Sequence, residues 1–337
     1  MKPRERMIRT LAHEAVDAVP RQLWNLSGVR MFRPQELEEV RARYPSEIEW
    51  APSRYGTSRY LRGEKNVVGS FVDEFGSVRT VAQAGVSGEV TKPVLASWDD
   101  LDGYEFPWEM LENADFSAID PLCAATDRFV LAGTWIRPFE RLQFMRGTEN
   151  LLVDLALGEP GVERLLSEIH RFNLAELDAL CKTRADGIFF MDDWGSQRAL
   201  LVDPALWRTL FRPLYKEYCE RIRNSGKFVF MHSDGHIESI YPDLVDIGVS
   251  ALNSQLFCMD LEALALRYGD RMTFWGEIDR QHLLPFGTPE EVRAGVDRVA
   301  RATIGRRGRT GVIAQCEWGN DVPKENIEAV FDQWSRY

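Results

Sequence analysis

Short apolar runs alternate with longer amphipathic stretches along most of the chain, and the alternation becomes regular from about residue 126. The runs are rich in β-branched and aromatic residues and are bounded by glycines or polar clusters, which indicates strands buried on both faces. The stretches between them have helical spacing, and one begins with the capping box Thr288-Pro-Glu-Glu291. The pattern predicts strands at 21–26, 128–132, 187–191, 228–231, 249–252, 272–275 and 311–314, with one more inside 50–105.

Strands that alternate with helices predict a parallel sheet, and about eight such units predict a TIM (β/α)8 barrel. An open doubly wound sheet is the rival fold. No Gly-rich dinucleotide fingerprint follows the first strand and no P-loop occurs, so the barrel is favoured. Residues 50–105 lack a long helical period, and we expect the second strand there together with a small insertion of β-hairpins. The whole chain, 1–337, is predicted to be one domain.

Polar residues follow nearly every predicted strand. In a parallel barrel these carboxyl ends face one mouth, where active sites occur. A single Asp after a strand is usually a turn or capping residue, so the prediction of a site depends on the coincidence at many strands. The residues are Asn25, Thr134, Asp192, Asp193, His232, Asp234, Asn253, Gln255, Glu277, Asp279, Cys316 and Glu317.

Two side-chain types in this set suggest specific chemistry. His232 and Cys316 follow different strands, both are common zinc ligands, and Asp234 or Glu317 would complete a site. No HExxH or CxxC motif supports this, so the spacing alone is weak evidence. Tryptophans near the same ends either pack in the core or form a flat wall for a ring-bearing ligand. They are Trp24, Trp135, Trp194, Trp275 and Trp318.

Composition excludes several classes of protein. The net charge is -11 and no basic block offsets it, which argues against nucleic-acid binding. No apolar run is long enough to span a bilayer, so no membrane association is expected. The first residues lack the apolar core of a signal peptide, and the five cysteines are scattered, so we expect a cytoplasmic protein without a disulfide framework.

Several motifs resemble the uroporphyrinogen decarboxylase superfamily. They are Phe190-Met-Asp-Asp-Trp-Gly-Ser-Gln197, His232-Ser-Asp-Gly235, Asp243-Leu-Val-Asp-Ile-Gly-Val249, Leu252-Asn-Ser-Gln255 and Phe274-Trp-Gly-Glu-Ile-Asp279. The resemblance covers nearly the whole chain and is most specific between about residues 186 and 280. It implies a TIM barrel, in agreement with the strand count.

The decarboxylase branch of this superfamily uses no cofactor. After the first strand it carries two arginines that hold the carboxylates of the substrate. By spacing from Pro20, this chain has Asn25 and Val29 at those places. Because a substrate with many carboxylates needs cationic partners, the resemblance does not favour that activity.

The other branch transfers methyl groups to or from a corrinoid protein, and its thiol-methylating members bind zinc through His-x-Cys and a later Cys. This chain resembles them at His232 and Cys316 but has Asp234 in place of the first Cys. A carboxylate in place of a thiolate gives a harder Lewis acid, which suits an ether or alcohol oxygen. The sequence is therefore more similar to methyltransferases of O-demethylase systems, with zinc held by His232, Cys316 and either Asp234 or Glu317.

The resulting expectation is methyl transfer from an O-methyl donor, such as a methoxylated aromatic, to a corrinoid on a partner protein. The chain itself has no Asp-x-His-x-x-Gly corrinoid motif. Asp192 or Asp193 is the expected catalytic group. Alternatives are a cofactor-free decarboxylase or lyase and a non-catalytic ligand-binding barrel, and a homodimer is one assembly that the sequence allows. The expected substrate-binding residues are Trp24, Asn25, Trp135, Trp194, Asn253 and Gln255.

Overall fold

The computed structural model describes residues 1–304 and 311–337. Its strands are β1 (Arg21–Asn25), β2 (Ile48–Trp50), β3 (Gly69–Val72), β4 (Val78–Val81), β5 (Glu89–Lys92), β6 (Phe129–Gly133), β7 (Gly187–Met191), β8 (Phe228–Ser233), β9 (Ala251–Ser254), β10 (Thr273–Trp275) and β11 (Val312–Trp318). Within the described ranges, eight parallel strands form one sheet in the order β1-β11-β10-β9-β8-β7-β6-β2, and β3-β4-β5 form a separate antiparallel sheet. This arrangement confirms the predicted TIM barrel.

Helices surround the ring of strands and cover its outer face. They are α1 (Pro3–Leu11), α2 (Ser27–Phe32), α3 (Pro34–Arg43), α4 (Glu109–Glu112), α5 (Ile119–Ala125), α6 (Pro138–Arg146), α7 (Thr148–Leu157), α8 (Pro160–Leu180), α9 (Pro204–Leu210), α10 (Arg212–Asn224), α11 (Tyr241–Ile247), α12 (Leu261–Tyr268), α13 (Leu283–Phe286), α14 (Pro289–Thr303) and α15 (Lys324–Trp334). Among the described residues, no helix is both long and apolar enough to span a membrane.

Alternate residues of each barrel strand face the lumen, as the pleat of a strand requires. The lumen contains a cluster of large apolar side chains, including Phe189, Phe230, Trp275 and Ile313. The intervening residues pack against the helices in a second, larger cluster. The junction between β1 and β2 carries a backbone hydrogen bond of 2.9 Å, from Glu47 N to Arg21 O, which nearly closes the ring.

Helix α1 covers the amino-terminal end of the barrel. Met7 and Leu11 are buried in the lumen cluster, and the main-chain N–H of Arg4 donates to Asp127 O at 2.8 Å. Since this end is closed by apolar packing, ligands have access to the lumen from the opposite mouth, where the polar strand ends lie.

Three boundaries differ from the sequence predictions. The second barrel strand, β2, precedes the 50–105 stretch in which it was expected, because β3–β5 form their own antiparallel sheet there. The helical stretch predicted between the strands at 187–191 and 228–231 forms two helices, α9 and α10, since Pro213 lacks an N–H and cannot continue the hydrogen bonding of α9. The last strand, β11, runs to Trp318 and is four residues longer at its carboxyl end than predicted.

Candidate functional site

Three possible metal ligands meet at the carboxyl ends of β7 and β8. His232 is 3% exposed and faces the lumen. Its Nε2 lies 3.4 Å from Asp193 Oδ1 and 3.3 Å from Asp234 Oδ1, and one ligand atom of each residue lies within 4.8 Å of the others. A tetrahedral zinc with ligand bonds of about 2.1 Å would separate its ligand atoms by about 3.4 Å. These residues, here called the mouth triad, therefore fit such an ion.

Two glycines allow the loops after β7 and β8 to pack directly against each other. A Cβ on Gly235, whose φ is +80°, would lie only 2.1 Å from the carbonyl oxygen of Gly195. The N–H of Gly195 donates to Asp234 O at 3.0 Å, and the N–H of Asp234 donates to Asp193 Oδ1 at 2.9 Å. This backbone contact holds the two triad carboxylates on either side of His232.

Asn253 on β9 orients the imidazole of His232. The amide nitrogen of Asn253 donates to Gln315 Oε1 at 3.1 Å and to the carbonyl oxygen of Trp275. Its Oδ1 therefore accepts from His232 Nδ1, at 2.5 Å. With a metal bound, the ring would be neutral and its unprotonated Nε2 would face the ion, as ligation requires. Burial alone would disfavour a charged ring, but the two carboxylates outweigh it and raise the pKa of His232 well above its usual value.

Arg280, in the loop after β10, contacts three acidic side chains at the mouth. It pairs with Asp234, lies 3.1 Å from Glu277 Oε1, and lies 2.6 Å from Glu317 Oε1. Burial raises the pKa of Asp234, but the positive charges of His232 and Arg280 outweigh burial and hold this pKa well below its ordinary value. Burial raises the pKa of Glu277 to about 8, so this carboxyl is mainly protonated at neutral pH. Asp234 thus stays ionised, with its Oδ1 directed at His232.

Glu140 is a second buried carboxyl beside the triad. It lies in the first turn of α6, is 8% exposed, and its Oε2 has no hydrogen-bond partner among the described residues. Burial raises its pKa, and the negative charge of Asp193 adds to the effect, against the opposite influence of Arg137 and His232. Arg137 Nη1 lies 3.6 Å from Glu140 Oε1. The site therefore contains a buried carboxyl with a raised pKa next to a metal-binding geometry.

A family model described as uroporphyrinogen decarboxylase (URO-D) matches residues 76–337. The chain belongs to the uroporphyrinogen decarboxylase family. This confirms the resemblance that the motifs around His232 indicated. No curated protein matches the sequence.

Solved structures support the same fold. A methyltransferase from Methanosarcina mazei aligns with 100% of this chain and 99% of its own, at 15% identity and a TM-score of 0.67. An endo-β-1,4-xylanase from Gloeophyllum trabeum covers 68% of this chain and 81% of its own at 10% identity, but its TM-score of 0.40 is too low to carry an argument. At these identities the likeness concerns the barrel alone.

Asp192 and Trp194 do not face the mouth of this uroporphyrinogen decarboxylase barrel. Asp192 is 0% exposed and accepts hydrogen bonds of 2.8 Å from the N–H groups of Phe139 and Glu140, together with one from the hydroxyl of Tyr215. Trp194 stacks on Phe139 with ring centroids 4.1 Å apart. Both side chains are enclosed by the helix layer and cannot touch a ligand in the lumen. The predictions of a catalytic Asp192 and a substrate-binding Trp194 are corrected accordingly.

Asn25 also points away from the lumen, and its Oδ1 accepts from Arg41 Nη2 at 3.0 Å on α3. It is therefore not placed to bind a substrate in the mouth, contrary to prediction. Trp24, its neighbour on β1, does face the lumen, with its ring centroid 5.4 Å from that of His232.

Trp135 and Gln255 line separate cavities next to the mouth. Trp135 is half-buried in a cavity of about 260 Å³ that also contacts Arg137. Gln255 lines one of about 220 Å³ with Glu277 and Arg280. Its Oε1 accepts from Gly235 N at 3.1 Å, so it also fixes the loop that carries Asp234. Asn253 acts through His232 rather than lining a cavity.

The structure does not bring Cys316 to the triad. On β11 the lumen-facing residues are Ile313, Gln315 and Glu317, whereas Cys316 is fully buried in the outer cluster with Trp318. Burial raises the pKa of its thiol, so it stays protonated. Ligation by Cys316 is not supported by this arrangement, because alternate residues of a strand face opposite sides. Glu317 faces the lumen but is engaged by Arg280.

Sequence reasoning missed Glu140 and Arg280. Both lie a few residues beyond a predicted strand end, outside the positions that the strand pattern singled out. Arg280 directly follows the Phe274–Asp279 motif, and Glu140 follows Trp135 by five residues. Charged residues in the first turn after each strand also reach the mouth of a barrel, and a search of those turns would have found both.

Proposed function

We propose that the protein is a methyltransferase that uses zinc at the mouth triad to move a methyl group from an O-methyl donor to the Co(I) corrinoid of a partner protein. The observation that carries the proposal is the donor set of one imidazole and two carboxylates. A site without thiolate is harder than a Cys-containing one and suits an ether oxygen. Family membership and the full-length likeness to a methyltransferase barrel support it.

The protein's own residues would prepare the site for the ion. Nε2 of His232, Oδ1 of Asp193 and Oδ1 of Asp234 would hold it, leaving a fourth position open to substrate. Asn253 fixes the imidazole and Arg280 fixes Asp234, as outer groups commonly do around catalytic zinc. Zinc bound there supplies a Lewis acid for the donor oxygen, which is otherwise a poor leaving group.

Glu140 is the residue that would protonate the leaving oxygen, in place of Asp192. A corrinoid on the partner would supply the nucleophile for the methyl carbon, and Glu140 would give its carboxyl proton to the donor oxygen, which keeps the C–O electron pair. The resulting carboxylate is 3.6 Å from Arg137, which stabilises it. Trp24, next to His232, and Trp135, in the cavity lined by Arg137, offer apolar faces for an aromatic donor.

A cofactor-free decarboxylase is the second candidate. One observation favours it. Without a metal, the charged imidazole of His232 is already paired with two carboxylates, so the site needs no metal ion to balance their charge. Against it, Asn25 and Val29 occupy the places of the substrate-binding arginines, and Asn25 points outward.

The test measures zinc by elemental analysis and follows the spectral change from Co(I) to methyl-Co(III) cobalamin with a panel of O-, N- and S-methyl donors. Wild type should bind about one zinc per chain. Asp193→Asn and His232→Ala should lose it and lose activity by about 100-fold or more. Asp203→Asn, which alters only the cap of α9, is the control. If zinc-loaded wild type methylates no cobalamin yet consumes uroporphyrinogen, the decarboxylase candidate replaces this proposal.

A further inference from the structure

Helix α6 carries a buried arginine, Arg141, whose charge meets an aromatic ring and the nearby carboxylate of Asp73 but no hydrogen-bonded anion among the described residues. Arg141 is 5% exposed, and among the described residues its guanidinium makes no ion pair and no hydrogen bond. It lies over the ring of Phe75, 3.6 Å from the centroid. Burial lowers its pKa to about 10, so it remains charged at neutral pH. A buried charge is costly unless it is paired, which indicates that an anion completes this site.

Arg141 lines the cavity of about 260 Å³ that also contacts Trp135, here called the α6 cavity. Its two carboxylates are already engaged. Asp73 accepts from Arg79 Nε at 3.2 Å, and Glu74 pairs with Lys65. Asp73 also accepts from two backbone N–H groups. The cavity therefore keeps a surplus of positive charge, centred on Arg141.

Arg137 and Met191 connect the α6 cavity to the mouth triad. Arg137, one turn before Arg141, also lines it, and its Nη2 donates to the sulfur of Met191 at 3.0 Å. Met191 pairs in register with His232 across β7 and β8. Glu140, next to Arg141 in sequence, is influenced by the charges of Arg137, Asp193 and His232 alike. A ligand in the cavity would thus reach from Arg141 towards the proposed reaction centre.

We propose that Arg141 binds the carboxylate of the substrate, and that the methyl donor is a carboxylate-bearing aromatic ring. This inference rests on the proposed function for the identity of the donor, but not for the anion site. Guanidinium and carboxylate match in a bidentate geometry. The cavity is smaller than the range of roughly 300–1,000 Å³ typical of drug-sized ligands, which suits a single substituted ring. Trp135 and Phe144 supply apolar walls.

The test uses full-length, metal-stripped protein and titrates it with 4-methoxybenzoate and with its uncharged analogue 4-methoxybenzamide, by calorimetry. Wild type should bind the benzoate at least about tenfold more tightly than the amide, as expected for one charged hydrogen-bonded pair. Arg141→Met should abolish this preference. Arg208→Gln, which removes a cation on the outer surface of the barrel, should keep it. Equal affinity of wild type for the two compounds would overturn the inference.

Thermal unfolding separates a binding role from a structural one. Without ligand, Arg141→Met should unfold at the same temperature as wild type or higher, since it removes a buried charge that forms no ion pair or hydrogen bond among the described residues. A marked loss of stability would overturn the inference by showing that the protein itself uses the charge. Binding of inorganic phosphate that is tighter than that of the benzoate and equally dependent on Arg141 would overturn the carboxylate assignment. The binding and unfolding experiments use neither zinc nor cobalamin. Their outcome is therefore independent of whether the protein transfers methyl groups.

Discussion

Removal of Asn253 should weaken zinc binding without removing any zinc ligand. Asn253 is 1% exposed, and its Oδ1 is the acceptor that keeps the proton of His232 on Nδ1. In Asn253→Ala the ring of His232 loses the side chain that fixes its tautomer and orientation. Loss of such an outer partner typically costs 10- to 100-fold in metal affinity, or about 1.4–2.7 kcal/mol. The zinc dissociation constant should rise by that factor.

Ser254→Ala is the matched control for this experiment. Ser254 is the next residue on β9, is 0% exposed, and shares a hydrogen bond of 2.8 Å with Tyr241 on the outer side of the barrel. Both substitutions remove a buried hydrogen bond and should cost on the order of 1–3 kcal/mol of unfolding free energy. Competition with a chromogenic chelator gives the zinc affinity, and urea unfolding gives the stability. Equal zinc affinities in the two variants would refute the role assigned to Asn253.

Two other substitutions test the outward direction of Cys316 and the raised pKa of Glu176. Cys316→Ser should leave the zinc content unchanged by elemental analysis, because Cys316 faces the helices; loss of zinc would show that it reaches the triad. Burial raises the pKa of Glu176 from 4.5 to about 7, although Tyr55 and the N–H of Trp135 donate to it. A carboxyl with a raised pKa in the folded state makes the protein lose stability as the pH rises from about 4.5 to about 7. Glu176→Gln should flatten this part of the stability profile in urea unfolding, and an unchanged slope would contradict the assignment.

The barrel could be predicted because parallel strands covered on both faces appear in the sequence as continuous apolar runs. The same property hides which residues face the lumen. A run such as Phe228–Met231 has no alternation of polar and apolar residues, so its inward side cannot be read from it. A shift of one residue reverses the facing of every side chain. His232 was placed in the mouth correctly, but its predicted partner Cys316 lies on the opposite face of its own strand.

Strand ends are the least certain part of such a prediction. The last strand was expected to end at Ala314, which would have put Cys316 in a loop, free to turn inward. It continues to Trp318, and the pleat then fixes Cys316 outward and Glu317 inward. The sequence predicted that the insertion contains β-hairpins. It did not predict that Asp73 and Glu74 of the insertion line the α6 cavity, because this depends on tertiary packing against α6, which local sequence does not indicate.

Asp192 shows how a strand end can matter to a site without facing it. Its carboxylate accepts from the N–H groups of Phe139 and Glu140, two of the donors that a helix leaves unpaired at its start. The residues that α6 then directs at the mouth, Arg137, Glu140 and Arg141, follow at spacings of three and four and so share one face of the helix. Asp193, the next residue after β7 and Asp192, faces the lumen and meets His232. Two adjacent aspartates at one strand end therefore have different roles. Asp192 fixes the start of α6, the helix that carries Glu140 and Arg141, and Asp193 faces His232.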